Sequence, residues 1–68
     1  MAYKREALLE AKRQIDSILH KLAETIATLE SKEQPQRYKS QLTLARRRVA
    51  AFELANSLIE REIKELSV

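Results

Sequence analysis

The chain has 68 residues, about half the length of a typical domain, and carries 13 Lys and Arg against 10 Asp and Glu, a net charge of +3. It contains no Gly, Cys or Trp, and 44% of its residues are hydrophobic. The absence of Cys excludes disulfides and thiolate metal sites, and the absence of Gly excludes glycine-rich phosphate-binding loops. No apolar run reaches transmembrane length and no signal-peptide pattern opens the chain, which predicts a soluble, cytoplasmic, helical protein that does not bind membranes.

Two helices are predicted in chain order. Strong helix formers dominate on both sides of Pro35, the single proline. Proline fits the first turn of a helix but not its interior, so the second helix should begin there. We predict one domain with a first helix over about 3–32, a turn at about 33–34 and a second helix over about 35–66.

Apolar residues recur at seven-residue spacing in both helices. The rows of the first helix are Leu8, Ile15, Leu22 and Leu29, flanked by Ala11 and Ile18 on one side and by Leu19 and Ile26 on the other. The rows of the second helix are Tyr38, Ala45, Phe52, Ile59 and Leu66, with Leu42, Val49, Asn56 and Ile63 between them. The second set alternates steps of four and three, which is coiled-coil spacing.

The rows of the two helices match in an antiparallel arrangement. Facing positions in a hairpin add to a constant. The following pairs all add to 67: Ile15–Phe52, Ala11–Asn56, Ile18–Val49 and Thr25–Leu42. This match predicts an all-α, antiparallel two-helix hairpin. The alternative is one long helix, kinked at Pro35 and paired with another chain.

Asn56 stands at a core-type position in an otherwise apolar row. In one interpretation it is buried and fixes the register or the oligomeric state at a cost in stability. In the other it lies at the edge of the seam with its amide in water. The sequence favours neither interpretation.

The rows of the two helices that face each other form a seam. A further row of residues on the second helix, outside this seam, predicts a homodimer. A hairpin has one seam and no enclosed core, so a chain of this size usually needs a partner. The row consists of Leu44, Arg48, Ala51, Ala55, Leu58 and Glu62. If two copies cross antiparallel at Ala55, Arg48 of each copy lies near Glu62 of the other. We therefore predict dimerisation into a four-helix bundle.

Positive charge is concentrated in one segment. Residues 1–34 carry six basic and six acidic groups, residues 35–50 carry five basic and no acidic groups, and residues 51–68 carry two basic and four acidic groups. The basic segment indicates possible phosphate binding, with Lys39, Arg46 and Arg47 on the outer face as point charges. A solvated helix surface with ion pairs explains the same charges.

No constellation of residues indicates catalysis. His20 is the single histidine and has no second His or Cys with which to share a metal. No serine has a positioned base. We predict no enzyme activity, metal or cofactor. The predicted function is that of a small adaptor, inhibitor or regulator acting through self-association and protein–protein contacts, and the alternative is a nucleic-acid-binding regulator.

Overall fold

The computed structural model describes residues 3–33 and 35–66, which form two helices joined by a short turn. Helix α1 spans Arg5–Glu30, a 3-10 turn spans Pro35–Tyr38, and helix α2 spans Lys39–Leu66. The two helices pack against each other, so the predicted hairpin is confirmed and the single kinked helix is not formed. The hairpin measures 50 × 16 × 15 Å. Neither helix, over its described length, is apolar enough to cross a membrane.

Helix α1 is two residues shorter at each end than the sequence predicts, and it ends without a left-handed residue. The Ser31 hydroxyl donates to the Thr28 carbonyl at 2.8 Å, and the Ser31 amide donates to the Ala27 carbonyl at 3.1 Å. The carbonyl groups at the end of α1 accept these hydrogen bonds, which a C-terminal glycine cap would otherwise supply. This explains how a chain without glycine ends the helix and turns. Pro35 begins the 3-10 turn rather than α2 itself.

The seam between the helices is apolar, but only a few of its side chains are buried from solvent. Leu8, Leu42 and Ala45 are buried, with exposed fractions of 7%, 8% and 5%. Residues in the middle of the seam, such as Ile15 and Phe52, are only half-buried. Among the described residues no side chain is completely enclosed. The hairpin therefore has no sealed core, and its central seam is partly open to solvent.

Side-chain contacts between the helices fix their register. Asn56 Nδ2 donates to Asp16 Oδ1 at 2.9 Å, and Lys12 Nζ lies 3.1 Å from Glu60 Oε1. The register predicted from the sequence would place Asp16 opposite Ala51, five residues and about 7.5 Å from Asn56 along the α2 axis. Lys12 and Glu60 are displaced from the predicted register by the same five residues, and Glu30 and Arg46 by nine residues in the same direction. The predicted register is therefore wrong, and the helices are shifted by about one turn relative to it.

The exposure of α1 residues agrees with the shifted register. Leu19 and Ile26 are half-buried in the seam, whereas Ile18 and Thr25 are exposed. The predicted register directed both Ile18 and Thr25 toward α2. With Asp16 beside Asn56, Leu19 instead lies near the height of Phe52, and Ile18 lies on the flank of the hairpin.

Candidate protein-interaction surface

The row predicted as a dimer interface lies along one side of α2. We call it the α2 stripe, and its members are Leu44, Arg48, Ala51, Ala55, Leu58 and Glu62. Leu44 and Leu58 are 48% and 53% exposed, Ala51 is exposed, and Ala55 is half-buried. Single exposed leucines are common on protein surfaces, but apolar residues repeated along one side of a helix are a feature of interaction sites. The α2 stripe carries two leucines with two small residues between them, together with the charged residues Arg48 and Glu62.

Two opposite charges stand at equal distances from the centre of the α2 stripe. Arg48 and Glu62 are each seven residues, or about 10.5 Å, from Ala55. Both are exposed, and neither forms an ion pair within the part of the chain that the structure describes. A surface with one basic and one acidic group arranged about a central small residue is complementary to an antiparallel copy of itself.

The described ion pairs between α1 and α2 lie on the other flank of the hairpin. Arg46 Nη2 lies 2.8 Å from Glu30 Oε2, and Lys12 contacts Glu60. At 100° per residue, Glu30 lies on the opposite side of the α1 seam from Ile18, and Arg46 and Glu60 lie on the opposite side of the α2 seam from the stripe. Since these contacts join the polar flanks, the apolar flanks lie together on the other side.

Helix α1 extends the apolar flank. Ile18 is 36% exposed there. Toward the N-terminus, an open groove of about 310 Å³ is lined by Tyr3, Ala7, Leu8, Ala11 and Ile59. All of the groove's lining residues are apolar or aromatic. The interaction surface therefore includes both helices and not α2 alone.

A polar network interrupts the seam on the opposite flank. Lys12 Nζ lies 3.1 Å from both Asp16 Oδ2 and Glu60 Oε1. Hydrogen bonds to Asp16 and Glu60 raise the pKa of Lys12 above its usual value. Hydrogen bonds from Lys12 and Asn56 lower the pKa of Asp16 below its usual value. Both shifts favour the charged forms, so the network stabilises one lysine cation between two carboxylates.

The structure also describes the environment of the Asn56 amide. Its nitrogen is bonded to Asp16, and its oxygen is buried with no hydrogen-bond partner among the described residues. The amide oxygen is therefore shielded from solvent, whereas the residue as a whole is half-buried and its nitrogen is bonded to an exposed carboxylate. Burying an unpaired amide oxygen has a free-energy cost of about 1–3 kcal/mol.

The predicted phosphate-binding residues are only partly brought together. Lys39, Arg46 and Arg47 are all exposed. Lys39 and Arg46 line one shallow groove of about 320 Å³ together with Thr43, whereas Arg47 does not line it. The Arg46 guanidinium already forms an ion pair with the Glu30 carboxylate, with a nitrogen-to-oxygen distance of 2.8 Å. An incoming phosphate would have to compete with that carboxylate for Arg46.

The single histidine is at the surface. His20 Nε2 lies 2.8 Å from Glu24 Oε1, and both side chains are exposed. Within residues 3–33 and 35–66, no group of three or more potential ligand side chains is placed to hold a metal ion. Nothing around His20 orients it toward a substrate pocket.

No family model matches this sequence, and neither a curated protein nor a solved structure matches the chain. The functional argument therefore depends on the geometry of the hairpin.

Sequence reasoning missed the polar network and the position of Ile18. The available signal was the pair of polar residues in apolar rows, since Lys12 interrupts the row of Leu19 and Ile26 just as Asn56 interrupts its own row. A register that gives both residues polar partners is the shifted one. Choosing that register would also have placed Ile18 outside the seam.

Proposed function

We propose that this chain is a non-catalytic helical interaction protein, a small adaptor, inhibitor or regulator, that acts as a homodimer. Two hairpins would associate through their α2 stripes to form a four-helix bundle with coiled-coil packing. The observation that carries the proposal is the apolar row around the half-buried Ala55, flanked by Arg48 and Glu62, which form no ion pair in the described part of the chain.

The exposed area of the hairpin supports a partner. The chain exposes 5704 Å² at a mass of 7.9 kDa. A compact globular protein of that mass exposes about 4,400 Å², so the hairpin has an excess of about 1,300 Å². A standard stable interface buries about 800 Å² on each partner. The excess is thus large enough to be covered by one ordinary dimer interface.

The charge distribution supports an antiparallel dimer. With a two-fold axis at Ala55, Arg48 lies near Glu62 of the partner subunit, and symmetry forms this pair twice. Residues 44–50 of each α2, which include Arg46, Arg47 and Arg48, then lie along residues 60–66 of the other, where three Glu outnumber one Arg and one Lys. A parallel arrangement would bring like charges together. Each exposed pair contributes only about 0–1 kcal/mol, so charge selects the orientation while apolar burial supplies the affinity.

The proposal is tested by sedimentation of the parent and two matched variants. The parent should sediment as a dimer. Ala55→Glu places a carboxylate at the centre of the interface and should give a monomer of much lower stability. Ala50→Glu makes the same substitution at an exposed position outside the α2 stripe and should remain dimeric. A parent that is monomeric at high micromolar concentration, or a dimer unaffected by Ala55→Glu, would overturn the proposal.

Nucleic-acid binding is the second candidate function. It is supported by the groove that Lys39 and Arg46 share and by the five basic residues of segment 35–50, which no acid offsets in sequence. Lysine and arginine at such a surface attract phosphate without reading sequence. Glu30 opposes the proposal because it neutralises Arg46.

Fluorescence anisotropy with labelled generic RNA and DNA separates the two candidates. Binding that weakens steeply with salt, disappears when Lys39, Arg46 and Arg47 are replaced by Gln, and strengthens in Glu30→Gln would establish the second candidate. The matched control replaces Arg13, Lys21 and Arg61 by Gln, which changes the net charge equally elsewhere. No binding by the parent at low salt would exclude this function.

A further inference from the structure

We propose that α1 also belongs to the dimer interface, with Ile18 packed against Ile18 of the partner subunit. This inference rests on the proposed antiparallel dimer and adds a contact that the α2 stripe does not contain. It turns a contact between two helices into a bundle in which all four helices meet.

The height of Ile18 along the hairpin follows from the inter-helix hydrogen bond. Asp16 is bonded to Asn56, so the two residues lie at nearly the same height. Ile18 is two residues further along α1, which is about 3 Å toward the turn. The α2 residues at that height are those just before Asn56, and Ala55 is one of them. The Lys12–Glu60 contact gives the same alignment and the Glu30–Arg46 contact one that differs by four residues, so Ile18 and Ala55 lie at the same height to within about one helical turn.

A two-fold axis at Ala55 consequently passes beside Ile18. Any residue on the same flank and at the height of the axis meets its own copy. Ile18 lies on the flank that carries the α2 stripe and is 36% exposed there. Its exposed portion would be covered by the identical side chain of the partner, which buries apolar surface on both subunits.

The neighbouring α1 residues are self-complementary about the same axis. Ala11 and Thr25 lie seven residues on either side of Ile18. An antiparallel copy brings Ala11 opposite Thr25 of the partner subunit, which pairs two small uncharged side chains and permits close approach. Gln14 lies four residues before Ile18 and Lys21 three residues after it, so Gln14 comes within about one residue of Lys21 of the partner subunit and no like charges meet. Since the centre of this flank is uncharged and its residues are arranged symmetrically about the axis, a second copy of the chain is the occupant that it fits.

Cysteine cross-linking tests the contact, because the chain has no native cysteine. Under mild oxidation, Ile18→Cys should form a covalent dimer, since a disulfide requires Cα atoms within about 7 Å. Ala11→Cys and Thr25→Cys should not cross-link as single variants, because each residue is about 20 Å from its own copy in the proposed dimer. The double variant Ala11→Cys/Thr25→Cys should cross-link.

Ala55→Cys reports the α2 contact independently. If Ala55→Cys cross-links while Ile18→Cys does so no more than the Ala11→Cys control, the proposed dimer stands and the α1 contact is overturned. If Ile18→Cys, Ala55→Cys and the double variant all cross-link efficiently, the α1 contact is established. A monomeric parent overturns the proposed function and this inference with it.

Discussion

Asn56 donates a hydrogen bond to Asp16 across 40 residues of sequence, with a nitrogen-to-oxygen distance of 2.9 Å. Asp16 in turn accepts from Lys12, which also reaches Glu60. The four side chains connect α1 and α2 at the edge of the seam, where Lys12 and Asn56 are half-buried and Asp16 and Glu60 are exposed. The Asn56 oxygen is left buried without a partner in the described residues, which lowers the stability that the network contributes.

Replacing Asn56 by Leu should raise the free energy of unfolding by about 1–2 kcal/mol. The variant removes an unpaired buried oxygen and adds apolar contact, while Asp16 retains Lys12. Urea denaturation followed by circular dichroism measures the change. Asn56→Asp is the matched control, and it should destabilise the protein at neutral pH because it places a second carboxylate beside Asp16. If Asn56→Leu is less stable than the parent, the hydrogen bond from Asn56 to Asp16 stabilises the fold by more than burial of the unpaired oxygen destabilises it.

Asp16 should make the stability of the hairpin sensitive to acid. Hydrogen bonds from Lys12 and Asn56 lower the Asp16 pKa from 3.8 in the folded state. A carboxyl whose pKa is lower in the folded than in the unfolded state stabilises the fold fully above the unfolded pKa. That contribution is lost as the pH falls through the folded pKa. The melting temperature of Asp16→Asn should therefore fall less than that of the parent between about pH 5 and about pH 2.

Glu53→Gln is the control for this pH effect. Glu53 is exposed, and the substitution removes one carboxyl of the same charge outside the network. Its melting temperature should follow the parent's pH dependence. If the profiles of parent, Asp16→Asn and Glu53→Gln coincide, the network has no role in acid sensitivity.

Leu42 should contribute far more to stability than Leu54. Leu42 is 8% exposed and packs near the turn, whereas Leu54 is 64% exposed on the outer face of the same helix. Leu42→Ala should cost about 2–4 kcal/mol, because it removes buried methylene groups and leaves a cavity. Leu54→Ala should change stability by less than about 0.5 kcal/mol. Equal effects of the two variants in denaturant titrations would contradict the observed seam.

Charge reversal should reveal the orientation of the dimer. Arg48→Glu would replace two attractive contacts with repulsion from Glu62 of the partner subunit and weaken dimerisation by about 1–2 kcal/mol, or 5- to 30-fold. The double variant Arg48→Glu/Glu62→Arg should restore the parent affinity, as measured by sedimentation equilibrium at low salt. A double variant as weak as the single one would exclude the antiparallel pairing.

The hairpin could be predicted from the sequence, but its register could not. Seven-residue apolar spacing on both sides of Pro35 is sufficient to indicate two packed helices. It does not distinguish registers that differ by one turn, because Phe52 finds an apolar partner in either Ile15 or Leu19. The difference lies in the polar residues, and their contacts depend on side-chain reach that spacing does not encode.

The part of the candidate interaction surface that lies away from the seam between the helices could be predicted from the sequence. Apart from the half-buried Ala55, the residues of the α2 stripe point away from α1 in either register, so their exposure did not depend on it. Ile18 did depend on it, since the predicted register assigned this residue to the seam. The pairing of Arg46 with Glu30 was likewise not predicted, because it follows from the shift that brings these side chains together.

The spacing of the inter-helix contacts also has a consequence for the order of folding. Glu30 and Arg46 are separated by 16 residues, whereas Asp16 and Asn56 are separated by 40. Closing the longer loop costs about 0.8 kcal/mol more entropy, so we expect the helices to pair from the turn outward. The first apolar contacts formed are those near the turn, which tolerate more than one register. A misaligned hairpin is therefore disfavoured only when pairing has advanced far enough for Asp16 and Asn56 to meet.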